Sequence, residues 1–215
     1  MDLDVTQTLT GKVRHLERTA RAFEAVTAQI NAVYVETGAH RGRSIGALVP
    51  RLMARCQTLH LQGYDLFEMA DHDSDLREQN GKGFGDLARC QAVCERLQKV
   101  HAAMSFKLIR GDTRHTLEPI TATWAYIDGG HSYDTVKWDH QQLKHSLVTV
   151  FDDADLRGVN QYLWEIRQQF HIWDLEQMDG SRQAVIVTDP DHYDFERAGL
   201  VPFQGQDPAT WRSTR

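Results

Sequence analysis

The stretch Tyr34-Val-Glu-Thr-Gly-Ala-His-Arg-Gly-Arg-Ser44 constrains this chain more than any other, because three conformations must meet around it. Ala32, Val33, Tyr34 and Val35 form a short apolar, β-rich run, and after the glycines Ile45, Leu48, Val49 and Leu52 recur at helical spacing. A strand, a tight turn and a helix are expected in that order. Gly38 and Gly42 carry no Cβ, so they permit positive φ and let the backbone approach a ligand closely. The amides that open the helix near Ser44 face the same space.

Spacing separates the motifs that compete for this loop. A dinucleotide fingerprint needs G-x-G-x-x-G, but Glu36 stands two before Gly38, and three residues separate Gly38 from Gly42. A phosphate-cradling P-loop needs four residues between its glycines and then a lysine, whereas three are present here, followed by Arg43 and Ser44. The Glu36 carboxylate repels a polyphosphate and attracts an ammonium group, so the expected ligand is a zwitterion carrying a cation.

Glu36-x-Gly38-x-x-x-Gly42-x-Ser44 resembles the first motif of class I S-adenosylmethionine-dependent methyltransferases, above all the small macrocin-type and catechol-type O-methyltransferases. A strand-to-helix turn whose glycines serve packing alone is the alternative on this stretch. Further strands follow: Leu59–Asp65, Phe106–Arg110, Thr123–Asp128, the continuous apolar run Leu147–Phe151, and His171–Leu175 with Gln183–Val187 as a closing pair. Strands and helices alternate until that pair, which has no helix between its members. That pattern gives an α/β fold with a mostly parallel sheet, and the resemblance implies a Rossmann-like, seven-stranded sheet of order 3-2-1-4-5-7-6, last strand antiparallel, with helices on both faces and the ligand where the order reverses.

Several strand tips carry acids. Asp65 can accept both hydroxyls of a ribose, with Glu68 as the weaker choice and a simple turn as the bland alternative. Asp112 or Thr113 either contacts the adenine, as the resemblance implies, or caps the next helix. Asp128 ends the fourth strand and Asp152-Asp153 end the fifth; carboxylates gathered in a partly dry cleft must bind a metal, pair with a base or hold a proton. Hard oxygen donors without cysteine favour Mg²⁺, and the resemblance places metal ligands at these three aspartates. Helix caps at Ser132 and Leu156 are the competing use of the same acids.

His131 lies three residues after Asp128, where catechol-type enzymes carry their general-base lysine. An imidazole can do that task beside an acidified hydroxyl, and contact with the cofactor is its other role. Macrocin-type relatives often have a further acid two residues after the first metal aspartate, and here that position is Gly130. The resemblance implies S-adenosylmethionine as cofactor, bound by Glu36, Thr37, Gly38, Gly42, Ser44, Asp65, Asp112, Thr113 and Asp128, with Mg²⁺ and a small-molecule hydroxyl as acceptor. Glu36 would hold the amino acid end through its ammonium or by fixing the loop, and Ser44 or nearby amides its carboxylate. A metal-dependent hydroxylase and a catalytically silent cofactor-binding module are the rival readings.

The 215 residues, 41% of them hydrophobic, suit one α/β domain spanning the chain. A net charge of −6 argues against a nucleic-acid substrate, and the chain shows neither an apolar membrane span nor a signal peptide, so a cytoplasmic location is expected. Cys56, Cys90 and Cys94 have neither zinc-ribbon nor redox spacing and read as buried or semi-buried thiols. Residues 12 to 30 form an amphipathic helix for the cofactor mouth or a homodimer contact, and residues 66 to 85 a polar excursion or lid. The aspartates of that excursion do not make a calcium loop, because Leu76 and Lys82 stand where glycine and glutamate are needed.

Overall fold

A computed structural model describes residues 12–67, 85–175 and 182–211, the first three without their side chains. Helix α1 (Lys12–Glu24) precedes β1 (Gln29–Thr37), and then β2 (Cys56–Asp65), β3 (Met104–Arg110), β4 (Trp124–Ile127) and β5 (Val148–Phe151) follow in parallel. β6 (Ile172–Leu175), β7 (Ala184–Val187) and β8 (Leu200–Pro202) complete a sheet of order β3-β2-β1-β4-β5-β7-β6-β8. β7 is antiparallel to both β5 and β6. The expected order is observed, with one strand more than expected: β8 adds to β6 through only three residues, too short a run to announce itself by alternation.

The helices between the strands are α2 (Arg43–Met53), α3 (Leu87–Val100), α4 (Thr113–Thr116), α5 (Tyr133–Leu143), α6 (Arg157–Ile166) and α7 (Phe195–Ala198). Because side chains alternate across a strand, neighbours on β1 enter different cores. Tyr34 joins Phe23, Ile45, Leu48 and Cys90 on one face, whereas Val35 joins Val136, Leu143, Val159 and Leu163 on the other. Tyr126 and Ile127 divide between the same two cores. Cys90 and Cys94 are buried free thiols on α3. α1 ends at Glu24, six residues short of the amphipathic run, because Gln29, Ile30 and Asn31 are drawn into pairing with β2. Most of the excursion at 66 to 85, Glu68 included, lies outside the described residues; within it Phe67 is buried, and directly after it Asp86 caps α3. Among the described residues no helix is long and apolar enough to cross a membrane.

Candidate active site

The carboxyl ends of β1, β2, β4 and β5 bring Glu36, Asp65, Asp128, Asp152 and Asp153 to one edge of the sheet. The β1 loop adopts the expected backbone, with φ of +87° at Gly38 and +72° at Gly42. What the glycines make room for is protein: a Cβ on Gly38 would stand 2.0 Å from the Asp128 carbonyl oxygen, and one on Gly42 would stand 3.2 Å from Cys90 Sγ. The loop is therefore pressed between the β4 tip and α3. Gly42 precedes α2 without a side-chain cap, and the amides opening a helix are a place where the dipole favours an anion.

Glu36 is fully buried, and its carboxylate accepts hydrogen bonds from the Tyr34 and Ser44 hydroxyls. Burial pushes its pKa up to about 7, against the lowering effect of those two donors. Both oxygens being held by the loop's own residues, Glu36 fixes the loop, and the Ser44 hydroxyl is directed to Glu36. Asp65 Oδ2 accepts from the His40 amide at 2.8 Å and Oδ1 from the Phe67 amide at 2.5 Å. These bonds orient the carboxylate at the β2 tip, and His40 and Phe67 take positive φ to provide them. Asp112 caps α4 by accepting from the Arg114 amide at 2.8 Å, and the Arg114 guanidinium beside it holds its carboxyl low. Thr113 opens the same helix, and its carbonyl accepts from Trp138 Nε1 at 2.9 Å.

Acids crowd together at the other half of the edge. Asp128 lies at the foot of the cleft, where burial and then the neighbouring Asp152 carboxylate push its pKa well up. Burial also raises Asp152, but the hydrogen bond and charge of His15 outweigh it and bring that carboxyl below its ordinary value. Neither acid caps a helix: Ser132 caps α5 by accepting from the Thr135 amide, and Leu156 precedes α6 without a side-chain cap. Asp153 takes φ of +46°, a conformation aspartate tolerates better than most residues.

His131 Nε2 is buried and 3.1 Å from Asp153 Oδ2, yet among the described residues it makes no hydrogen bond. One donor atom each from Asp128, His131 and Asp153 lie within 4.8 Å of one another, so the three can face a common cation. Asp152, expected beside Asp128 and Asp153, is outside that set. His131 is pinned by packing invisible in the sequence, since a Cβ on Gly158 of α6 would stand 2.2 Å from the His131 carbonyl oxygen.

Two residues of the site carried no motif. His15 reaches it from α1, more than a hundred positions away in sequence, and only the fold joins them. Asp139 is buried on α5 with neither oxygen hydrogen-bonded among the described residues; burial pushes its pKa to about 6, tempered by the nearby Thr113 and Thr37 hydroxyls. It did leave a trace: Val136, Asp139, His140 and Leu143 form a stripe at i, i+3, i+4, i+7 in which an acid is out of place.

Among solved structures, the chain is similar to a protein from Listeria monocytogenes assigned as a class I S-adenosylmethionine-dependent methyltransferase (TM-score 0.54, 11% identity), covering 94% of this chain and 65% of that one. An O-methyltransferase family protein from Burkholderia thailandensis gives a TM-score of 0.52 at 8% identity, over 82% of this chain and 55% of that one. The precorrin-6y C5,15-methyltransferase from Geobacter metallireducens gives 0.51 at 11% identity, over 86% and 92%. No protein-family model matches the sequence, and no curated protein matches it either. Identities this low speak for architecture: the chain has the fold of class I S-adenosylmethionine-dependent methyltransferases.

Proposed function

We propose that this protein is an S-adenosylmethionine-dependent methyltransferase that methylates a hydroxyl of a small molecule with the help of a divalent cation. The observation that carries this reading is the contact between the two halves of the site. The Gly38 loop is packed directly on the Asp128 backbone, so a cofactor at the loop lies beside a cation at Asp128, His131 and Asp153.

The donor set fits a cation, since two carboxylates and a buried imidazole nitrogen without a hydrogen-bond partner converge there. When bound, the cation supplies positive charge that makes an acceptor hydroxyl more acidic. His131 Nε2, given to that set, cannot serve as proton acceptor at the same time. The chain's own contribution is otherwise positional. Asp65 is oriented to take the ribose, the uncapped amides of α2 the carboxylate of the methionine part, and the Tyr34–Glu36–Ser44 bonds hold the loop. Asp112 and Thr113 stand at the β3 tip for the adenine. Held in that way, the cofactor would supply an electrophilic methyl group in line with the acceptor oxygen, with neutral S-adenosylhomocysteine as the leaving thioether.

The rival hydroxylase reading needs two imidazoles with one carboxylate, and the cluster of described residues holds one imidazole with two carboxylates. The test is calorimetry with S-adenosylhomocysteine, followed by radiolabelled methyl transfer to a panel of phenolic and sugar hydroxyls with Mg²⁺, with Mn²⁺ and with chelator. Nucleoside binding and chelator-sensitive transfer are expected. Absence of any nucleoside binding would overturn the whole reading, and transfer indifferent to chelator would overturn its cation half.

A further inference from the structure

The two aspartates that end β5 are treated differently by the rest of the molecule. Asp153 faces His131 and Asp128. Asp152 faces α1: its Oδ1 lies 2.6 Å from His15 Nε2 and accepts from Gln183 Nε2 at 3.2 Å. The same His15 nitrogen is 3.3 Å from the Tyr126 hydroxyl and 3.0 Å from Gln183 Nε2, and Gln183 Nε2 donates to Thr19 Oγ1 at 2.9 Å. α1 and the residue ahead of β7 thus converge on one carboxylate oxygen at the end of β5, with Tyr126 of β4 against the His15 nitrogen, and Asp152 is almost wholly buried there.

Resting on the cation site proposed above, we infer that His15 is a positioning residue that sets the composition of that site: by tying Asp152 to α1 it leaves Asp128, His131 and Asp153 as the donors. A set containing imidazole favours Mn²⁺ over Mg²⁺, whereas each further carboxylate adds the hard oxygen donor that Mg²⁺ prefers. Asp152 is already in contact with Asp128, so its release from His15 delivers a third carboxylate to the same place. The N-terminal helix, whose sequence says nothing about metals, would in this way choose the ion.

The experiment measures Mn²⁺ binding to the full chain by electron paramagnetic resonance, and Mg²⁺ binding by competition. The parent is expected to bind Mn²⁺ about tenfold or more tighter than Mg²⁺, and His15→Ala to bring that ratio down by a similar factor, largely through a gain for Mg²⁺. His15→Gln, whose amide can donate from nearly the place of Nε2, is expected to keep the parent's ratio. An unchanged ratio in a folded His15→Ala protein overturns the inference. Should His15→Ala fail to fold, Asp153→Asn is compared with Asp152→Asn: the former is expected to cost more Mn²⁺ affinity, and an equal or inverted order overturns the inference. A parent that binds neither ion overturns the cation site and this inference together, and intact S-adenosylhomocysteine binding in the same protein separates that result from failure of the methyltransferase reading.

Discussion

The two halves of the site handle negative charge in opposite ways. At the tips of β1, β2 and β3 every acid is held by donors of its own neighbourhood: Glu36 by Tyr34 and Ser44, Asp65 by two backbone amides, Asp112 by Arg114. At the tips of β4 and β5 the acids face one another, and Asp128 is pushed toward its protonated form by burial and by Asp152. The first half satisfies its acids with its own donors, whereas in the second burial and like charge act on a shared cluster. On the function proposed above, specificity for the nucleoside would lie in geometry and the response to metal in electrostatics.

Four variants break or sharpen that contrast. Gly38→Ala attacks the seam between the halves and should have the largest effect, since its Cβ would stand 2.0 Å from the Asp128 carbonyl at a φ of +87°. A loss of about 3 kcal/mol or more is expected in urea melts, together with loss of S-adenosylhomocysteine binding. Glu36→Gln tests the organised half through pH. A folded-state pKa of about 7 against an ordinary 4.5 means that Glu36 contributes stability fully below about 4.5 and loses it as pH rises through about 7. The variant should therefore gain on the parent by about 3 kcal/mol between those limits. His140, whose burial lowers its pKa to about 4, has the opposite slope between pH 6.5 and 4, but it is present in both proteins and cancels in the difference. A pH-independent difference would show that Glu36 titrates at its ordinary value in the folded protein and would contradict the rise that burial imposes.

Asp128→Asn tests the unbalanced half. Removing the acid should stabilise the metal-free protein at neutral pH by roughly 1 kcal/mol and abolish stabilisation by added Mn²⁺, both read by thermal melting. Destabilisation without metal would contradict the crowding described for β4 and β5. The smallest effect is expected at Asp112, where loss of the cap on the four-residue α4 should cost about 1 kcal/mol or less. A greater loss of nucleoside affinity than of stability, followed by calorimetry, would assign Asp112 to the adenine as well as to the helix.

Strand order and the location of the acids were legible because each depends on short-range pattern. The continuous apolar run Leu147–Phe151 could only be a strand covered on both faces, and Asp152-Asp153 had to follow it at the ligand edge. β8 was not legible, since three residues carry no alternation and its pairing depends on β6 being exposed at the edge. The expected metal set was read as three aspartates because acids adjacent in sequence look equivalent. In space they differ, as Asp152 lies against the His15 imidazole and Asp153, at φ of +46°, lies against His131.

Local chemistry in the sequence determined by itself where the chain must extend, where it must turn, and that carboxylates must line one edge of a parallel sheet, because periodicity and glycine act over a few residues. Tertiary structure alone decided that both loop glycines make room for protein, that Glu36 spends its oxygens on Tyr34 and Ser44, and that His15, His131 and the β5 aspartates sort into separate clusters. The physical reason is that hydrogen bonds and charges act across a few ångströms of space, and a fold brings together there residues whose distance along the chain carries no record of the contact.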